Sequence, residues 1–282
     1  MVELYTASAF CKGNAGGNKA GVVLDSTDLT AADMSAIAKE AGYSETAFLT
    51  ETGAANYRIR YFTPTAEVPI CGHATIASFA VLNQLNKSNR NKYTIETGAG
   101  TLHIRIETDG MIFMEQDRPS FFEKLEPDRF TGCLETEWVS QTLPVQVVST
   151  GLRDIMLPID STAHLEALKP DFSAVTELCR KCDVVGIHAF TPTEDAGQTA
   201  LCRNFAPRYG INEESATGTS NCALACYLFR YVQRQNRYVM EQGRNLGAAS
   251  RLVVEITHQD DNIDTVYVGG YGRLLGRKTL FM

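Results

Sequence analysis

Hydrophobic and polar positions along the chain switch between two periods. Leu4–Phe10 is a short apolar run and Tyr57–Thr63 (YRIRYFT) alternates apolar with polar, so both are predicted as strands; a Gly-rich stretch and then Val22–Leu24 follow the first. Asp28–Tyr43 instead repeats Met34, Ile37 and Ala41 at helical spacing; Thr30 can cap that helix, Asp33 sits three residues on, and Gly42 ends it. Ser44–Thr50 (SETAFLT) follows. From about His73 a further helix is predicted, in which Ile76, Phe79, Val81, Leu82 and Leu85 point in most directions and Ala77 and Ala80 fill the gaps. A helix apolar nearly all round is usually buried on all sides. Tyr93–Glu96, Leu102–Glu107 and Ile112–Glu115 read as strands, the first two joined by the Gly98–Gly100 turn. Pro119 and the charged stretch EKLEPDR read as a connection between halves.

Beyond that connection the order repeats. Val145–Ser149, Asp154–Pro158 and Val184–Phe190 are predicted strands, Phe172–Lys181 has helical spacing, and YVMEQG, RLVVEI, TVYVGG and KTLFM in the final third are strand-like. Short matches recur at an offset of about 145 residues: Tyr61-Phe62-Thr63-Pro64 with Asn204-Phe205-Ala206-Pro207, Cys71-Gly72-His73-Ala74 with Thr217-Gly218-Thr219-Ser220, and Ile95-Glu96-Thr97-Gly98 with Met240-Glu241-Gln242-Gly243. The period is too long for a solenoid. An α+β chain of two similar domains is therefore predicted, residues 1–117 and 118–282, with the last strands free to return to the first half. Both Gly-containing turns open helices, whose first N–H groups lack intrahelical partners and form the positive end of the helix dipole. If the two copies face each other, the helix starts converge on one cleft that can hold a carboxylate without Arg or Lys. A small anionic substrate is expected there.

The composition narrows the field. Of 282 residues, 44% are hydrophobic and 21% charged, as in a globular protein; 26 basic against 33 acidic residues give a net charge of −7, which argues against a nucleic-acid surface. The start, MVELYTASAF, lacks the features of a signal peptide, and Ala74–Leu82 is far shorter than the roughly 20 apolar residues that span a bilayer. A cytoplasmic protein without membrane partners is expected. The eight cysteines are scattered, which favours free thiols; the one CxxC, Cys179 and Cys182, lacks a second ligand pair, and no His, Asp or Glu cluster has metal-ligand spacing, so no metal is expected. GNAGGNKAG lacks the phosphate-loop and dinucleotide patterns.

At FTPTAEVPICGHAT, SETAFL and GNKAGVV, followed in the second half by FAP and EESATGTS, the sequence resembles the PhzF-like phenazine-biosynthesis family, a branch of the diaminopimelate epimerase-like fold. The resemblance implies two pseudo-symmetric domains, each a barrel-like sheet around a central helix, with the active site between them. It also implies cofactor-free proton transfer at carbon, and often a homodimer. The family's characterised phenazine enzyme isomerises dihydro-hydroxyanthranilate. By that likeness the catalytic glutamate falls on Glu45, the glycine–histidine pair on Gly72 and His73, the second-half acid on Glu214 and the pocket asparagine on Asn18. Gly218 and Thr219 are then expected to offer backbone N–H groups to the substrate carboxylate.

The chain departs from the family pattern at two places. Glu213-Glu214-Ser215 stands where the family commonly has Glu-Asp-Pro, and Thr217 stands where racemases of this fold carry their second cysteine, opposite Cys71. A threonine hydroxyl is far too weak an acid to replace a thiol. On its residues alone Glu45 also reads as a solvated strand-end carboxylate, His73 as a helix-terminal histidine bonded to backbone, Cys71 as a small buried residue and Glu214 as a helix-start acid. With the family pattern, Glu45 is expected to carry the proton, its basicity raised by partial enclosure, and His73 to act as a neutral imidazole. The alternatives are an epimerase or racemase with a modified site, and a non-catalytic binding protein on the same fold.

Overall fold

The computed structural model describes residues 1–52, 56–88, 90–193 and 197–281. The chain divides into two units, Met1–Glu115 with Gly269–Met282, and Gln116–Val268. The sequence pattern places the boundary two residues later, and the C-terminal segment lies with the first unit.

The first unit begins with β1 (Val2–Cys11), β2 (Asn18–Val23), α1 (Ala31–Ala41), β3 (Thr46–Glu51), β4 (Tyr57–Phe62) and β5 (Glu67–Val68). It continues with α2 (Gly72–Gln84), β6 (Lys92–Thr97), β7 (Gly100–Ile106) and β8 (Ile112–Gln116). The capping box predicted at Thr30 and Asp33 forms, and Gly42 closes α1 in the left-handed region at φ 69°. β1 and β2 form an antiparallel hairpin, β3 joins β2 in parallel, β4 runs antiparallel to β3, and β6 joins β4 in parallel. β7 and β8 complete a meander. α2 packs on β1, β2 and β3, and every residue from His73 to Leu82 is buried, as the all-round apolar pattern predicts.

The second unit holds β9 (Ser120–Leu125), β10 (Val145–Ser149), β11 (Arg153–Pro158), α3 (Thr162–Ala167), α4 (Phe172–Cys182), β12 (Gly186–Pro192) and β13 (Ala200–Ala206). Then come β14 (Ile211–Glu214), α5 (Gly218–Tyr231), β15 (Arg237–Gln242), β16 (Ser250–Gln259) and β17 (Asn262–Leu280). Its pairings repeat those of the first unit. β10 and β11 form an antiparallel hairpin, β12 joins β11 in parallel, β13 is antiparallel to β12, and β15 joins β13 in parallel, with α5 in the place of α2. The duplicated motifs therefore mark a duplicated topology. Within the first unit, β1 also pairs with the last part of β17.

One expectation needs correction. EKLEPDR is not a mere connection: its first residues belong to β9, which pairs antiparallel with β10. The backbone hydrogen bonds gained there outweigh the charges, which stay in solvent on an exposed face. The CxxC lies at the end of α4, where Cys179 and Cys182 pack into the apolar core of this unit with Val175 and Leu178. Cys222 and Cys226 are buried within α5. No helix among the described residues is long and apolar enough to cross a membrane.

Candidate functional site

Glu45 directly precedes β3, which has helices on both of its faces. Phe48 packs with Met34 and Ile37 of α1, and the alternate residues turn to the face on which α2 packs. Glu45 shares the latter parity. Its carbonyl accepts a hydrogen bond of 3.1 Å from the Gly21 N–H, which fixes the strand entry. Gly21 has to be small, because a Cβ there would lie 2.6 Å from the Thr46 hydroxyl.

The start of α2 is held from below. Thr75 donates its N–H and its hydroxyl to the Cys71 carbonyl, at 3.1 and 2.8 Å, and the Thr75 hydroxyl meets the buried Tyr61 hydroxyl at 2.6 Å. No side chain caps this helix. A Cβ on Gly72 would meet no atom within 4 Å, so neither packing nor backbone strain explains a glycine here.

Between these two anchors three side chains meet. His73 Nε2 lies 3.2 Å from Glu45 Oε2, with side chains 7% and 17% exposed. The same nitrogen is 3.4 Å from the Ser44 hydroxyl, and His73 Nδ1 is 3.4 Å from Cys71 Sγ. His73 is thus bonded to side chains rather than to backbone. Burial acts against charge on both partners, but proximity wins. Burial raises the Glu45 carboxyl, and the adjacent His73 more than offsets this, leaving it below its ordinary value. Burial likewise opposes the His73 cation, yet the Cys71 sulfur and Glu45 carboxylate raise it well above its ordinary value. Cys71 is shifted upward, chiefly by burial. Two expectations are corrected here: Glu45 is not made more basic by enclosure, and His73 is not a neutral imidazole but the charged half of a pair. The reason is that neighbouring groups outweigh burial: the His73 ring for Glu45, and the Cys71 sulfur followed by the Glu45 carboxylate for His73.

The structure thus brings Glu45, Gly72 and His73 together in the first unit. Asn18 opens β2, three residues before the Gly21 that bonds Glu45.

The other predicted residues lie in the second unit. Glu214 ends β14 and accepts a 2.7 Å hydrogen bond from the Thr217 hydroxyl. Gln242 completes this arrangement: its amide donates to the Glu214 carbonyl at 2.7 Å and to Thr217 Oγ1 at 3.0 Å, and accepts from Asn221 at 2.8 Å. Thr217, at the position corresponding to Cys71, is therefore a structural hydroxyl with both roles taken. Gly218 and Thr219 open α5, and the Thr219 carbonyl accepts from Thr150 at 3.1 Å.

A buried cluster under the α5 start joins Asn204 and Ser220 of the repeated motifs to two residues outside them, Asp154 and His188. Ser220 donates to Asp154 at 2.6 Å, and Asn204 bridges Ser220 and His188 at 3.2 Å each. Asp154 is legible in the sequence only as an acid inside an apolar strand, and His188 as a histidine standing alone. Burial pushes the Asp154 carboxyl up to about 7, against the pull of its Ser220 and Gly186 hydrogen bonds and with help from Glu214. Burial pushes His188 down to about 3. The folded chain therefore retains the Asp154 proton where the unfolded chain, with an ordinary value of 3.8, has released it. Asp154 thus costs stability as pH rises from about 4 to about 7, while His188 costs stability as pH falls below about 6.5. Asp154→Asn removes only the first effect. The stability of the variant relative to wild type should rise by a few kcal/mol between about pH 4 and pH 8, each tenfold change in the proton equilibrium being worth roughly 1.4 kcal/mol. Urea midpoints measured across that range check this, and parallel curves would refute it.

Comparison with known proteins agrees with this architecture. Residues 7–275 match the family model PhzC-PhzF, described as phenazine biosynthesis-like protein. The chain is 33% identical to the isomerase YddE of Escherichia coli (strain K12), itself uncharacterized, over 97% of this chain and 96% of that one. It is 30% identical to the trans-2,3-dihydro-3-hydroxyanthranilate isomerase of Pseudomonas aeruginosa, over 96% of each chain. The crystal structure of a PhzF-family phenazine biosynthesis protein from Bacillus anthracis superposes with a TM-score of 0.91 at 26% identity, covering 100% of this chain and 99% of that one. With its duplicated α+β units and a family match across nearly its whole length, the chain belongs to the phenazine biosynthesis-like PhzC-PhzF family and is an isomerase.

Proposed function

We propose that the protein is a cofactor-independent isomerase that moves a proton between carbons of a small cyclic or unsaturated carboxylic acid. The observation that carries this reading is the enclosed Glu45–His73 pair, 3.2 Å apart at the open start of α2. Glu45, ionised at neutral pH, takes a proton from a substrate carbon and returns it to another. The His73 cation stabilises the charge that develops in between. The unpartnered N–H groups at the α2 start, at Gly72 and His73, draw the substrate carboxylate. Asn18, Gly218 and Thr219 are proposed as further substrate-binding residues and Glu214 as an assisting acid.

The lowered basicity of Glu45 restricts the substrate. A weak carboxylate base is matched to a carbon acid already activated by conjugation, whereas the α-proton of an ordinary amino acid is far less acidic. This favours isomerisation of an unsaturated ring over racemisation. The acid named for the Pseudomonas aeruginosa relative has that character, and we place this chain's substrate in the same chemical class.

The second reading, an epimerase or racemase, rests on Cys71 lying beside the pair. The two are separated by incubating the enzyme in deuterated water with a panel of small cyclic carboxylates and cyclic amino acids, followed by NMR. Deuterium should enter the unsaturated cyclic acids and leave the amino acids unlabelled. Cys71→Ser should keep about a tenth or more of the exchange rate, since it loses only a contact to His73. Complete loss of exchange in that variant would favour a thiol mechanism.

A further inference from the structure

We propose that Gln242 is a positioning residue for the proton transfer: it sets the direction of the Thr217 hydroxyl and, through it, the orientation of the Glu214 carboxylate. The proposal rests on the reading of Glu214 as an assisting acid.

Gln242 ends β15 and is fully buried. A primary amide carries two N–H donors and two acceptor sites on its oxygen, and all four are used here. Oε1 accepts from the Thr217 N–H at 3.2 Å and from Asn221 Nδ2 at 2.8 Å, while Nε2 donates to the Glu214 carbonyl at 2.7 Å and to Thr217 Oγ1 at 3.0 Å. The partners permit one orientation. The Thr217 N–H can only donate and the Glu214 carbonyl can only accept, so the amide oxygen and nitrogen do not exchange places. Thr217 Oγ1 therefore receives a hydrogen from Gln242, and its own single hydrogen goes to Glu214 Oε2, 2.7 Å away. Donation runs one way, from Gln242 through Thr217 to Glu214.

The backbone around the acid is fixed as firmly. In the β13–β14 register Asn204 stands opposite Glu214, so the two side chains share a face, and Arg203 and Glu213 pair on the other. Gly243, at φ 85°, follows Gln242; a Cβ there would lie 2.7 Å from the Ser215 carbonyl oxygen and 3.1 Å from Ser215 Cα. Glycine is what lets the end of β15 come this close to the residue after Glu214.

The first unit differs at the matching place. In the repeated motifs Thr97 stands where Gln242 does, and its hydroxyl donates to the Gly100 carbonyl at 2.9 Å, within its own hairpin turn. A long amide that reaches an acid in one copy of the repeat is what a site with one assisting acid requires.

Deuterium exchange from solvent into cyclohexene- and cyclohexadienecarboxylates, catalysed by the whole protein, tests this. Gln242→Met should lower the rate by about tenfold or more. Thr217→Val should do the same, and Thr217→Ser, which keeps the hydroxyl, should recover most of the loss. In a Glu214→Gln background neither Gln242→Met nor Thr217→Val should lower the rate further, because both act through that carboxylate. A contribution to stability alone would lower it in either background. Thermal melts establish that each variant is folded; if Gln242→Met does not fold, the two Thr217 variants carry the comparison. A slow Glu214→Gln beside a folded Gln242→Met or Thr217→Val at the wild-type rate overturns the proposal and leaves the assisting acid standing, as does a loss that simply adds to that of Glu214→Gln. Wild-type exchange in Glu214→Gln, or none in the wild type, removes the assisting acid itself and the proposal with it.

Discussion

Glu45→Gln is expected to lower proton exchange by about 10²–10⁴-fold while the protein stays folded. Glutamine keeps the shape and the strand entry anchored by the Gly21 N–H, but it neither accepts a proton from carbon nor balances the His73 charge. The wild-type pH profile follows from the same pair. Glu45 sits below its ordinary 4.5 and His73 well above its ordinary 6.5, so both hold their working charge across neutral pH. Activity should be flat there, with the acid fall lying below the ordinary carboxylate value of 4.5 and the alkaline fall well above the ordinary imidazole value of 6.5, both belonging to the pair. Solvent deuterium incorporation measured across pH provides the check. Undiminished exchange in folded Glu45→Gln removes the proposed base and the mechanism with it.

Arg203→Met is expected to cost about 3–5 kcal/mol of stability, the usual effect of breaking a buried ion pair from one side. Arg203 and Glu213 form a two-pronged bridge at 2.9 and 2.8 Å, with side chains only 8% and 9% exposed. The same guanidinium donates to the carbonyls of Leu165 and Leu168 at 3.1 and 2.8 Å. Removing it strands a buried carboxylate and leaves carbonyls without their donor. Replacing Glu213 with glutamine in the Arg203→Met background should recover part of the loss, because the uncompensated charge is gone. Urea unfolding of the two variants decides the matter, and a single-variant cost below about 1 kcal/mol would contradict it. The bridge also anchors β14, the strand that ends in Glu214.

Local chemistry made much of the fold legible. Thr30, Asp33 and Gly42 delimit α1 through contacts within a few residues, and the apolar circumference from Ile76 to Leu82 announces a central helix wherever the rest of the chain goes. The charged β9 stretch misled because a strand at a solvent face is decided by its partner's backbone, and β10 lies about twenty residues away.

The candidate site divides along the same line. The family resemblance carried by SETAFL and FTPTAEVPICGHAT pointed to Glu45, Gly72 and His73, and the duplicated FTP and FAP segments to two like-folded units. Charge states did not follow from that resemblance. They depend on distances between residues far apart in sequence: Glu45 and His73 set each other's protonation only because β3 and α2 deliver them to within 3.2 Å. The same holds for Cys71, which as part of a sequence is a lone thiol and in space lies 3.4 Å from the His73 ring, and for the buried Asp154, Ser220, Asn204 and His188. Periodicity and capping act over a turn or a strand and so are written in the chain itself. Coulombic and desolvation effects act through space over a few ångströms, and only the folded chain decides which groups come that close.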